Sequence, residues 1–330
     1  MQRLAEGGGA TVPAHPLQWN RAGRMPEAQS RPEGGAGQMV RRLLDPLVEA
    51  TPPLRRLRLG RRLRRRMHGA LGYRPDLAQP RTFNEKIGWR ILNDRNPLIP
   101  LTTDKIAVRD WVAARIGTDI LIPLLGVWER AEDVAWKSLP QRFVLKASHG
   151  WNMNLLVHDK ARTDERAARD TAAGWLTQSH YRATGEWGYR DIAPRLLAEE
   201  MLEGDEGGVP QDLKFHVFGG RVGLIGVHHG RYAGARRVTF LDRSLNRLPV
   251  TQGHPAHPDW QPPAGMGDLL RIAERLGLDF DYVRVDLYLV GGRPRFGELT
   301  HYDSSGCSPY LPGEFDRTLG DMWTLGARPG

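Results

Sequence analysis

Apolar and polar residues alternate along the chain with two periods, one helical and one of two residues. Thr82–Leu92 (TFNEKIGWRIL) has the helical spacing, and Thr82 with Glu85 three residues on forms a capping box that starts it. Thr103–Ile116 has the same spacing and stops at Gly117. Thr163–Arg182 reads as a third helix, and Gly267–Leu276 as a fourth with Gly277 as its left-handed terminator. Short runs of strand length lie between them: Arg142–Ala147, Leu155–His158 after a Ser148–Met153 loop, and the extended segment Leu196–Leu202. The C-terminal part is strand-rich. Leu213–Phe218 and Arg221–His228 flank Gly219-Gly220, Tyr282–Leu289 and Arg295–Thr300 flank Gly291-Gly292, and each Gly pair is a hairpin signal. Arg237–Leu241 is a further strand. Helices mixed with antiparallel hairpins predict an α+β architecture, not a doubly wound parallel sheet.

Before this patterned region the chain changes character. Residues 1–38 are rich in Gly and Pro, lack periodicity and read as a disordered tail. Residues 39–68 are an Arg-rich basic segment, ten Arg against Asp45 and Glu49. The net charge of +9 is therefore carried by the first 68 residues, and residues 69–330 are neutral overall. A neutral body has no electrostatic footprint for nucleic acid. The stretch 55–66, in which leucines interrupt arginines, reads either as a basic amphipathic helix for a membrane face or acidic glycan, or as a solvated helix. Without an apolar run of spanning length or a signal core, and with Cys307 as the lone cysteine, the expectation is a cytoplasmic protein, at most peripheral to the inner membrane face. Cys307 reads as a small packed side chain rather than a reactive thiol. His228, His229, His254 and His257 do not form a zinc ligand set.

The chemistry concentrates in the last hairpin. Arg284, Asp286 and Tyr288 share one face of its first strand, Glu298 and Thr300 one face of its second, and the intervening residues are mostly apolar. A two-residue turn at Gly291-Gly292 would set Asp286 opposite Gly297 and point the two acids to opposite sides. A loop with an odd residue count would pair Asp286 with Glu298, and Pro294, which lacks an N–H, favours that longer loop. Carboxylates directly opposite repel unless a cation lies between them, and oxygen ligands of this kind suit Mg²⁺. Lys146 closes an apolar strand, where an ammonium is costly without an anion. Lys105 follows Asp104, Lys214 shares a strand face with His216, and Glu199-Glu200-Met201-Leu202 joins acids to apolar residues.

Taken in order, PRTFNEKI (80–87), TDKIAVR (103–109), LPQRFVLKASHG (139–150), DLKFHVF (212–218), VRVDLY (283–288) and FGELT (296–300) resemble the TupA-like branch of the ATP-grasp superfamily. The resemblance implies two α+β subdomains with largely antiparallel sheets that grip ATP. Residues 69–140 would precede them, 141–203 would form the first with its phosphate loop, and 204–330 the second with the metal hairpin. It also implies roles. Lys105 and Lys146 would reach the nucleotide, Glu199 to Leu202 would read adenine and ribose, and Lys214 would sit on the phosphates. Asp286 and Glu298 would bind Mg²⁺, with Thr300 in place of the family's usual Asn, and Arg284 would stabilise the transferring phosphoryl group. The loop after Lys146 has fewer glycines than the family pattern, so His149, Gly150 and the asparagines Asn152 and Asn154 are the candidate donors to phosphate. The implied reaction is ATP-dependent ligation of a small-molecule or glycan carboxylate to an amine through an acyl-phosphate, in envelope polysaccharide assembly. Trp187–Arg190 and His228–Tyr232 are candidate lid or acceptor-binding segments. A kinase on the same fold, a glycosyltransferase and a non-catalytic glycan-binding module stay open at this level.

Overall fold

A computed structural model describes residues 51–204, 207–230 and 236–326. The expectation for residues 1–38 lies outside the described residues, as does the part of the basic segment before residue 51. The chain divides into residues 1–61 and a body of residues 62–330. Helix α1 (Pro52–Leu71) contains no acidic residue. Within the body portion of that helix, Leu63 and Met67 are fully buried, while Arg62, Arg64 and Arg65 are exposed. The basic segment thus ends inside the hydrophobic packing of the body.

Helix α2 (Phe83–Asn93) begins at the expected capping box, with both reciprocal hydrogen bonds present. The helix predicted over 103–116 is broken. α3 (Leu98–Thr103) stops, Asp104 accepts a hydrogen bond from the Ile106 amide at 2.8 Å, and α4 (Ala107–Ile116) starts afresh. An Asp side chain that bonds its own backbone two residues on competes with helix continuation. Gly117 ends α4 at φ +115°.

The first sheet is antiparallel, in the order β1-β4-β2-β3, from β1 (Leu124–Trp128), β2 (Phe143–Ala147), β3 (Asn154–Val157) and β4 (Leu196–Glu200). Period-two patterning decides its faces. Phe143, Leu145 and Ala147 pack with Ala168, Ala172 and Trp175 of α5 (Glu165–Leu176), which leaves Val144 and Lys146 for the other face. The helical stretch predicted to Arg182 is interrupted after Leu176 and resumes as the short α6 (His180–Thr184).

The second sheet is also antiparallel, in the order β7-β6-β5-β8-β9, from β5 (Asp212–Phe218), β6 (Arg221–His229), β7 (Arg237–Leu241), β8 (Tyr282–Val290) and β9 (Arg293–Thr300). Leu213, Phe215, Val283 and Val285 bury one face against α7 (Met266–Gly277) and α4. Gly277 is the last helical residue and not a left-handed terminator. Its glycine is required by packing instead, because a Cβ there would lie 2.4 Å from Val217 Cγ1. The other face carries Lys214, His216, Arg284 and Asp286. α8 (Glu314–Asp321) closes the fold on α2, where Asp316 accepts from the Asn84 amide at 3.0 Å. Cys307 is fully buried and burial pushes its thiol pKa up, as fits a packing residue.

Candidate active site

The cleft forms where the polar faces of the two sheets converge. Val144, Lys146, Asn154 and Leu156 line it from the first sheet, and Asp212, Asp286, Tyr288, Gly297 and Glu298 from the second. Lys105, the Gly150–Met153 loop and Glu200 to Leu202 complete its walls.

The carboxylate hairpin is assembled by an unanticipated device. Its turn has two residues, with Val290 opposite Arg293 and both Gly291 (φ +56°) and Gly292 (φ +70°) left-handed. That turn alone would separate the acids, yet Asp286 pairs with Glu298 and Arg284 with Thr300. A β-bulge between Asp286 and Leu287 restores the register: Leu287 pairs with Phe296, and Gly297 is the extra residue. The longer loop argued from Pro294 is therefore replaced by a tight turn plus a bulge.

Asp286 is almost fully buried. Arg284 Nε and Nη2 donate to its two oxygens at 2.7 and 2.8 Å, and the Lys214 ammonium also binds it. Burial alone would raise its pKa, but Arg284 and Lys214 outweigh that effect and hold it below the ordinary carboxylate range. Lys214 also pairs with Asp212 at 2.8 Å. Arg284 further binds Asp303 and Thr300 Oγ1, the latter at 3.0 Å, and lies 3.5 Å from Glu298. With each guanidinium nitrogen on an oxygen, its geometry is that of a group that positions carboxylates. Thr300 Oγ1 donates to Glu298 Oε1 at 3.2 Å.

Across the cleft, the Lys146 ammonium donates to Glu199 Oε2 at 2.6 Å, and Arg109 Nη1 donates to Glu199 Oε1 at 2.8 Å. Both Glu199 oxygens are thus engaged, and Glu200, the next acid, lines the cleft. The break at Asp104 brings Lys105 to the loop, where its ammonium donates to the Gly150 carbonyl at 2.5 Å. Burial lowers its pKa, which marks a desolvated cation beside a neutral partner.

His149 is not brought to the cleft. Its ring is buried, with Nε2 3.1 Å from the Trp175 carbonyl, and burial lowers its pKa. Of the two candidate acceptor segments, Trp187–Tyr189 forms a single turn of 3₁₀ helix, and residues 231–235 lie outside the described residues.

Arg109, Asp303 and Asp212 escaped the residue-level reading as parts of the site. Arg109 and Asp212 do sit within TDKIAVR and DLKFHVF, and Asp212 shares a strand face with Lys214. Asp303 follows Thr300 by three residues in an irregular segment, where no periodicity announces it.

A family model described as TupA-like ATPgrasp matches residues 85–324. The chain belongs to the TupA-like ATP-grasp family. Among curated proteins none matches it. Solved structures similar to this TupA-like chain include D-alanine–D-alanine ligase from Bacillus anthracis, at 15% identity over 67% of this chain and 66% of that one, with a TM-score of 0.41. The ATP-grasp ligase PsnB, complexed with a precursor variant, Mg and ADP, shares 13% identity over 68% of this chain and 58% of that one, with a TM-score of 0.39. N5-carboxyaminoimidazole synthase from Aspergillus clavatus, with ADP and 5-aminoimidazole ribonucleotide, shares 12% over 61% and 44%, with a TM-score of 0.35. The matched region spans less than two thirds of each relative's own length.

The cleft fits an Mg²⁺–nucleotide in its donor chemistry. Two adjacent carboxylates offer only hard oxygens, too few to cage a cation and suited to one that keeps phosphate or water ligands. The desolvated Lys105 ammonium calls for an anion, and Val144, Leu156, Met201 and Leu202 offer an apolar slot.

Proposed function

We propose that this TupA-like protein is an ATP- and Mg²⁺-dependent ligase joining a carboxylate to an amine, acting on a sugar-linked or amino-acid carboxylate in envelope polysaccharide assembly. The observation that carries this reading is the cleft that sets the Asp286–Glu298 pair in one space with the half-buried Lys105 ammonium. In it, Asp286 and Glu298 hold Mg²⁺, while Lys105, Lys146 and Lys214 neutralise phosphate. Glu200, Met201 and Leu202 receive the nucleoside. Bound MgATP supplies the phosphoryl group that activates the substrate carboxylate, with charge neutralised by the metal. Arg284 keeps Asp286 ionised and aimed, and Thr300 orients Glu298. The cleft walls keep water from the activated carboxyl group.

A basic α1 suits attachment to an anionic membrane face. Among the described residues no helix is long and apolar enough to cross a membrane.

The test is a screen of uronic acids and amino acids for ADP release, with hydroxylamine as the trapping amine. A hydroxamate formed by the wild type and lost in Asp286→Asn supports the ligase. ADP with a stable phosphorylated product and no hydroxamate would identify a kinase. ADP release that survives both Asp286→Asn and Glu298→Gln would overturn the site.

A further inference from the structure

The loop after β2 is poor in glycine, yet it turns tightly between Lys105 and Lys146. Asn152 takes the left-handed conformation, φ +57°, that glycine would otherwise supply. Side chains brace the rest. The Trp151 amide donates to His180 Nε2 at 3.3 Å, and the two rings meet edge to face at 5.1 Å. Gly150 is pressed so closely on His180 that a Cβ would lie 2.6 Å from its ring.

Behind Trp151 sits Glu186, 1% exposed. Its carboxyl group accepts a hydrogen bond from Ser305 Oγ at 2.5 Å and interacts with the Trp151 side chain. Ser305 belongs to a left-handed run, with Ser304 at φ +48°, Ser305 at +53° and Gly306 at +69°. Such a run persists only where its surroundings over-determine it. At its start Asp303 binds Arg284, which holds Asp286. Side-chain contacts and one short turn therefore join the phosphate-side loop to the carboxylate hairpin, through Trp151, Glu186, Ser305, Asp303, Arg284 and Asp286.

We propose that Glu186 is a positioning residue that clamps the phosphate-side loop, through Trp151, to the Ser305 turn and so holds the two walls of the nucleotide cleft at one spacing. The clamp rests on the nucleotide reading of the cleft for its purpose, but its geometry is independent of it. Arg66 from α1, Tyr189 on the same segment, and Tyr302 and Cys307 flanking the turn are the charged and titratable groups that face Glu186. Burial pushes the Glu186 pKa up to about 7, against the opposing pull of Ser305, Arg66 and Trp151. The ionised form holds the Ser305 hydroxyl and attracts the Trp151 side chain better than the neutral one, so the clamp tightens as pH rises through neutrality.

The experiment uses the full chain as wild type, Glu186→Gln and Ser305→Ala. Hydrogen exchange of residues 148–154 is followed from pH 6 to 8 and corrected for intrinsic rates. MgATP and adenosine binding are measured by equilibrium dialysis. In the wild type, protection of the loop grows with pH. In Glu186→Gln the pH dependence disappears, exchange is about tenfold faster, and MgATP binds about tenfold more weakly while adenosine binding is unchanged. Ser305→Ala moves the midpoint of protection to higher pH, because a bond favouring the ionised form is gone. Wild-type protection and pH dependence in Glu186→Gln would overturn the clamp. If that variant does not fold, an unmoved midpoint in Ser305→Ala overturns it instead. A wild type that binds no MgATP yet shows Glu186-dependent protection supports the clamp and refutes only the nucleotide reading.

Discussion

Asp286 and Glu298 are direct cross-strand partners even though the turn joining their strands has two residues, a geometry in which simple alternation would point them apart. The extra residue, Gly297, reconciles the two facts. It sits with Asp286 O and Tyr288 Cε2 each 3.0 Å from where a Cβ would be, so a side chain at the bulge would press on both.

Deleting Gly297 removes the extra residue and leaves an unbulged two-residue hairpin in which Glu298 still falls opposite Asp286, so Mg²⁺-dependent nucleotide binding should persist. Gly297→Val keeps the register but must displace backbone or Tyr288, at about 1–3 kcal/mol. Calorimetric melting together with nucleotide titration checks both. A deletion variant that is folded yet binds no MgATP would show that the bulge itself is needed, and not only the pairing it restores.

Arg109 stands outside the cleft but holds Glu199, which holds Lys146. Arg109→Ala leaves one oxygen of a buried carboxylate unpaired, an effect of about 1.5–3 kcal/mol for a bond to a charged group. We expect ATP affinity to fall about tenfold or more with little change in the rate at saturating ATP. Arg109→Lys should recover only part of it, because a point ammonium cannot bridge Glu199 and the Ile122 carbonyl as the fork does, each at 2.8 Å. Equal ATP affinity in the alanine variant would remove Arg109 from the site.

Burial lowers the pKa values of His180, His216 and His229 to about 4. The folded protein keeps them neutral, while the unfolded chain protonates them near about 6.5. Between those values the unfolded state binds more protons, so stability is fully present above pH ~6.5 and is lost as pH falls toward ~4. Glu186 acts oppositely, since its raised pKa makes the folded state bind more protons between its ordinary value and about 7. Burial lowers His149, His228 and His301 as well, and these six imidazoles against the two raised carboxyls of Glu186 and Asp316 leave a net loss. The melting temperature should fall steadily from pH 6.5 to 4, and a flat profile would contradict the buried, neutral histidines.

A vesicle-binding test of α1 has to keep Leu63 and Met67, because removing the chain up to Gly69 would strip two fully buried side chains from the body. Reversing the exposed arginines instead, as Arg61→Glu, Arg64→Glu and Arg65→Glu, leaves the packed face intact. At roughly 1 kcal/mol per basic residue near an anionic surface, binding to phosphatidylserine vesicles should fall by more than 100-fold. Equal sedimentation of the triple variant with vesicles would rule out the membrane role.

Much of this protein is written in local sequence. The capping box at Thr82 and Glu85, the strand lengths and the face assignments of Arg284 and Asp286 follow from spacing alone, because side-chain direction within one element is a property of a few neighbouring residues. The Gly pairs at 219–220 and 291–292 likewise announce their turns. Ordered motifs also disclosed the family. What only the tertiary structure decided are relations between elements. The bulge at Gly297 depends on how β9 meets β8. The burial of His149 depends on α5, and the pairing of Glu199 with Arg109 on a helix ninety residues upstream. Register and burial are set by partners distant in the chain, so a reading confined to neighbours names the acids of the hairpin but not the device that turns them toward each other.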